Sequence, residues 1–230
     1  MSAPTTTDVV LRPVRFTANV AAMQRFLELV GLRSRIESVG GGWVDLLGTS
    51  GMLALHDAAG SAQRTPPGTT TLSYECADAD ALATRLTAAV LRAEVVDEAY
   101  GRVLLVTGDD SWQVVTDEVQ RDLHGYRVHE AGEPICAVSA VVRTGAGGPL
   151  RAILHVLGGD VEVRDGDGVP ALGPDGGWYV SAPVQVVLTT TEPLERLVTR
   201  LEAAGCPAVV GDGVVTVTDP DGQLLEVRRA

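Results

Sequence analysis

Residues 184–230 contain VQVVLTT (184–190), EPLERLVTRLEAAG (192–205), GVVTVT (213–218), DPDG (219–222) and QLLEVRR (223–229). The first run is short and rich in β-branched residues, as a strand is. The second repeats its apolar residues at helical spacing, and the last two apolar runs meet at an acidic turn. The same order of strand, helix and turn-linked strands recurs about 110 residues earlier. There it reads TTLSYEC (70–76), DALATRLTAAV (80–90), GRVLLVT (101–107), GDDS (108–111) and WQVVTDE (112–118).

A related unit opens the chain. A strand around 9–17 leads into AMQRFLELVGL (22–32), where Met23, Phe26, Leu27 and Val30 form one apolar face and Gly31 is placed as a helix stop. The strands RSRIES (33–38), GWVDLL (42–47) and GMLALHD (51–57) follow. A weaker fourth copy runs from Ile135 through AVSAVVRT (137–144), a helix at PLRAILHVLG (149–158), and the strands VEVRD (161–165) and GWYVS (177–181). Gly145, Gly147, Gly148 and the loop GDGVPALGPDGG (166–177) blur it. The chain thus divides into four βαβββ-like units, over 8–57, 70–118, 135–182 and 183–230. The proline-bearing stretch 58–68 joins the first two. The expected domains are 1–120 and 135–230, with 121–134 as linker.

Composition narrows the chemistry. With 45% hydrophobic and 21% charged residues, the 230-residue chain can bury a core. All 18 basic residues are arginine, which excludes a lysine Schiff base, a pyridoxal-phosphate anchor, a P-loop and a kinase-type ATP site. Thirty acids leave a net charge of −12, made of 17 acids against 11 Arg over 1–130 and 13 against 7 over 131–230, or −6 in each part. Without a basic block, neither nucleic acid nor an anionic membrane is expected as partner. Cys76, Cys136 and Cys206 form no CxxC pair and read as reduced thiols. No signal peptide and no apolar run of about 18 residues is read, so a cytoplasmic protein is expected.

The helix AMQRFLELVGL after a strand, the pair GGGWVDL and GMLALHD, DEAYGRVLLVTGDDS, and above all VTDPDGQLLEVRR resemble the vicinal oxygen chelate superfamily. That superfamily includes glyoxalase I, extradiol dioxygenases, and fosfomycin- and bleomycin-resistance proteins. The resemblance implies an α+β fold of two tandem glyoxalase-like domains. In each, two modules pair into a curved mixed sheet that encloses a cleft, with the helices outside. It also implies a divalent metal held by His or Gln on the first strand of a module and by Glu or His on the last. Carried over residue by residue, Glu226 matches a last-strand ligand and His56 lies close to one. Val115 and Thr71 stand where other ligands would be, as does Arg12, with no His or carboxylate beside it in register. The standard metal site is therefore expected to be absent, with His56 and Glu226 as the weak metal candidates.

Period-2 alternation assigns the strand faces. It turns Leu53 and Leu55 toward the helix, and Ala54 and His56 toward the cleft. Leu72, Tyr74 and Cys76 face the helix, and Ser73 and Glu75 face the cleft. Trp43 and Asp45 share one face, while Tyr100 and Arg102 fall near the cleft mouth. Trp43, Asp45, His56, Ser73, Glu75, Tyr100 and Arg102 are the expected ligand-binding residues, an aromatic wall with a few charges. Trp178 and Tyr179 adjoin on one strand and so face opposite ways.

No nucleophile elbow or phosphate loop is present; GGG at 40–42 precedes a strand. Three functions remain open. The first is metal-free binding of a small organic molecule in the domain 1 cleft, as in antibiotic or metabolite sequestration. The second is a divalent-metal lyase, isomerase or dioxygenase with a non-standard ligand set. The third is metal-free acid–base catalysis by His56 or Glu75. The expected partner is a small-molecule ligand, and the expected state is a monomer or homodimer.

Overall fold

The computed structural model describes residues 9–62, 64–89, 91–107, 113–130, 132–144, 147–165 and 184–230. The first unit consists of β1 (Val9–Leu11), β2 (Val14–Thr17), α1 (Val20–Val30), β3 (Arg33–Ser38), β4 (Trp43–Leu47) and β5 (Met52–Asp57). The second consists of β6 (Thr70–Thr71), β7 (Ser73–Cys76), α2 (Ala79–Ala88), β8 (Arg92–Glu98), β9 (Gly101–Thr107) and β10 (Gln113–Glu118). After β11 (Tyr126–Val128) come β12 (Cys136–Thr144), α3 (Gly147–Leu157) and β13 (Val161–Asp165). The chain closes with β14 (Val184–Thr190), α4 (Leu194–Ala203), β15 (Ala208–Gly211), β16 (Val214–Thr218) and β17 (Leu224–Arg229).

The helices begin and end where local chemistry dictates. Asn19 caps α1 by accepting from Ala22 N, and Asp78 caps α2 by accepting from Ala81 N. Gly31, at φ +129°, ends α1 and donates to the Leu27 carbonyl. The buried face of α1 is Val20, Met23, Phe26, Leu27 and Val30, the stripe the sequence marks.

Among the described residues the strands form three open sheets, ordered β1-β7-β10-β9-β8, β11-β3-β4-β5-β2-β6 and β13-β12-β14-β17-β16-β15. The stretch 9–17, expected as one strand, breaks at Arg12 and Pro13, and 70–76 breaks at Leu72. Proline has no N–H to give a ladder and restricts the residue before it, so the strand cannot run straight through. β1 pairs with β7 in one sheet and β2 with β6 in the next, each antiparallel. The breaks therefore face each other, bridged by Arg12 N donating to Ser73 O at 2.9 Å.

In the last unit β14 pairs in parallel with the closing strand β17, as β2 does with β5 and β7 with β10. In the third unit β13 takes that parallel position beside β12. The expected strand at 177–181, with Trp178 and Tyr179, lies outside the described residues, as do Gly145, the loop 166–177 and the GDDS turn.

Two apolar cores span the early and late parts of the chain. One joins α1 and the helix-facing side of β4 and β5 to α4, Leu188, Val215 and Val227. The other joins α2, Tyr74 and Leu104 to Ala140, Leu150 and Ile153. The DPDG turn also docks on β2: Arg15 pairs with Asp219, and Asp221 accepts from Thr17 Oγ1 at 3.1 Å and Ala18 N at 3.0 Å. Among the described residues no helix is long and apolar enough to cross a membrane. Cys76, Cys136 and Cys206 are free.

Candidate functional site

With one face of the first two sheets committed to the helices, the other encloses a cavity of about 450 Å³, a volume suited to a small organic ligand. Alternation decides which side chains reach it. Leu53 and Leu55 join the α1 core while His56 lines the cavity, and Val44 and Leu46 face α1 while Trp43 and Asp45 line it. Tyr74 and Cys76 join the α2 core and Ser73 lines the cavity. Phe16 and Val14 from β2, Ile36 from β3, Val115 from β10 and Tyr126 from β11 complete the apolar wall. Tyr100 and Arg102 lie at the rim, where Arg102 is held by Asp80 at 2.8 and 2.9 Å.

His56 is placed by its neighbours. Its ring lies 5.3 Å from Phe16 and meets Trp43 edge-on at 5.7 Å, while its Nδ1 is 2.7 Å from the main-chain carbonyl of Asp57. A carbonyl only accepts, so Nδ1 carries a proton, and in the neutral form of the ring the lone pair is on Nε2.

The floor is a buried charge cluster. Arg12 emerges at the break between β1 and β2 and lies 5.4 Å from the Trp43 ring centroid, a cation–π contact. Its Nη1 is 3.3 Å from Asp45 and 3.5 Å from Glu75, and its Nη2 pairs with Asp117. Arg35 pairs with Glu75 at 2.8 and 2.5 Å and with Asp45 at 2.8 Å. Three carboxylates against two guanidinium groups leave one negative charge in excess. Burial opposes the charge on Arg12, and Asp45, Asp117 and Glu75 outweigh it, so its pKa is raised. Burial likewise opposes the charge on Arg35, and Glu75 and Asp45 raise its pKa in turn. Burial holds the Asp117 carboxyl above its ordinary value against the pull of Arg12, helped by the nearby charges of Asp45 and Glu75.

The strand that carries Arg12 offers no carboxylate; those beside it come from β4, β7 and β10. Asp117 is two residues beyond Val115 on the same face of β10, so alternation carried one step further would have found it. Arg35 carried no such signal. The ladder of β3 against β4 shifts register between Ser34 and Ile36, a bulge that re-aims Arg35. Glu75, expected in the cleft wall, is held by Arg35 and Arg12 and does not line the cavity.

These residues do not form a metal site. Asp45, Glu75 and Asp117 are each engaged by guanidinium groups, and among the described residues no three His, Cys, Asp or Glu side chains are grouped to hold a cation. His56 packs against Trp43, the ring that Arg12 also contacts. Glu226, far along the chain in the third sheet, receives a hydrogen bond from Arg228 at 2.7 Å, which holds its carboxyl below the ordinary range.

No protein-family model matches the chain, and no curated protein matches it in sequence. Solved structures do match. Homoprotocatechuate 2,3-dioxygenase from Arthrobacter globiformis superimposes with a TM-score of 0.58 at 14% identity, over 97% of this chain and 80% of that one. The Mn(II)-bound glyoxalase from Novosphingobium aromaticivorans gives 0.58 at 13% identity, over 97% and 82%. The 2,3-dioxygenase LapB from Pseudomonas sp. KL28 gives 0.60 at 10% identity, over 96% and 91%. The likeness at these identities is one of fold: this chain shares the α+β architecture of these dioxygenases and this glyoxalase.

Proposed function

We propose that this protein binds a small organic molecule in the cleft between its first two sheets without a metal ion, sequestering an antibiotic or metabolite in the manner of bleomycin-resistance proteins. In this reading it works in the cytoplasm, as a monomer or homodimer. The observation that carries the reading is the floor of the cleft, where every carboxylate is engaged by a guanidinium group beneath an aromatic wall. Trp43, Phe16 and Tyr126 offer flat apolar contact, and His56 Nε2 offers one hydrogen-bond acceptor. Isothermal titration of a natural-product panel against the chelator-treated protein tests it. Saturable binding of one class, lost in Trp43→Ala, is expected. Indifference to every compound, together with turnover of a substrate, would overturn it.

A second reading is a divalent-metal-dependent lyase, isomerase or dioxygenase with a non-standard ligand set. The named activities of the structural neighbours, dioxygenases and a Mn(II)-bound glyoxalase, favour it. Elemental analysis of protein purified without chelator separates the two readings. A stoichiometric transition metal would support the second and remove the first.

A further inference from the structure

We infer that the Arg12 guanidinium is the resident cation of this cleft, standing in for a metal ion, and that it keeps divalent cations out. The inference deepens the metal-free reading and rests on it. Three observations converge. First, the carboxylates around Arg12 come from three separate strands: Asp45 from β4, Glu75 from β7 and Asp117 from β10. Oxygen donors of this kind are what a hard cation takes, but arranged around the guanidinium they are not grouped to hold one. The place between them is occupied by a side chain that is itself 4% exposed.

Second, the charge arithmetic fits the exchange. The three carboxylates and Arg35 alone sum to −2, the complement of a divalent ion, and Arg12 reduces this to −1. Third, the cavity wall retains an unused oxygen. Ser73 is 2% exposed, lines the cavity, and its Oγ has no hydrogen-bond partner among the described residues. Ser73 and Glu75 alternate on β7, which places the hydroxyl one side-chain repeat from a carboxylate of the cluster. The backbone puts Arg12 there because Pro13 breaks the first strand beside it. Asp45 is fully buried and Glu75 nearly so, so a positive charge at this point is required for the sheet to close over them.

The test is Mn(II) binding, read by electron paramagnetic resonance and by the thermal midpoint, in wild type, Arg12→Ala and Arg12→Ala/Asp117→Asn. Wild type should take up no Mn(II), and its midpoint should not move. Arg12→Ala should bind about one Mn(II) per chain and gain stability from it, and adding Asp117→Asn should abolish both effects. If Arg12→Ala does not fold alone, the same titration is read on refolding, and Mn(II) that restores the fold supports the inference.

Arg12→Ala that binds no Mn(II), or stays unfolded with it, overturns the inference and leaves the metal-free reading standing. Wild type that binds Mn(II) and loses it in Asp117→Asn overturns both. Indifference to the natural-product panel, together with turnover of a substrate, overturns the sequestration reading and leaves this inference standing.

Discussion

The imidazole of His56 meets the indole of Trp43 at 88°, ring centroids 5.7 Å apart, while its Nδ1 is tied to the Asp57 carbonyl. The two contacts fix both the plane of the ring and its tautomer. His56→Phe should keep the packing and remove the Nε2 acceptor. A ligand that donates to Nε2 should then bind about tenfold more weakly, the effect of one lost hydrogen bond, as calorimetry would show. Nitrogen-15 chemical shifts should report the Nδ1–H tautomer in the free protein.

Arg35 and Arg102 both pair with carboxylates, yet their removal should differ sharply. Arg35→Ala strips a partner from Asp45 and Glu75, both buried, and should cost about 3 kcal/mol in a denaturant titration. Arg102→Ala frees the exposed Asp80 and should leave the denaturation midpoint where it is.

Gly51 and Gly41 both have positive φ, at +68° and +81°. A Cβ on Gly51 would sit 2.7 Å from the Val138 carbonyl, a main-chain atom that cannot step aside, whereas Gly41 has open space. Gly41→Ala should therefore cost about 1 kcal/mol from conformation alone. Gly51→Ala should cost more and lower the thermal midpoint further, because it pushes the β4–β5 turn off β12.

The thiols should react unequally. Burial, reinforced by Glu118, pushes Cys76 up to about 12, and burial raises Cys136 as well. In the native protein a maleimide or iodoacetamide should modify Cys206 first, with mass spectrometry locating the adduct. The unfolded Cys76 thiol ionises near its ordinary value while the folded one stays protonated. The stability that Cys76 contributes is thus complete below about pH 9 and is lost as pH rises from there to about 12. Cys76→Ala should flatten that part of the profile.

Much of the cleft wall was legible in the sequence because strand alternation is a local rule. His56 opposite Leu55, and Ser73 opposite Tyr74, follow from period two alone. The floor was legible only in part. Asp117 needed the same rule applied one step beyond Val115, and Pro13 signalled a break that the apolar pattern of 9–17 concealed. Arg35 could not be read at all, because a bulge changes the face of one residue without changing composition. The pairing of Arg12 with Asp45, Glu75 and Asp117 joins residues far apart in sequence, and no spacing rule connects them.

The apolar cores each take one helix from the early part of the chain and one from the late part. The wall behind the cleft is thus the same layer that fastens the C-terminal strands. In the proposed binding role, a guest would meet a back wall built by both cores. Selection among guests then becomes a matter of fit and of charge already in place, and a change in the distant third sheet would be felt as a change in the shape of the cup.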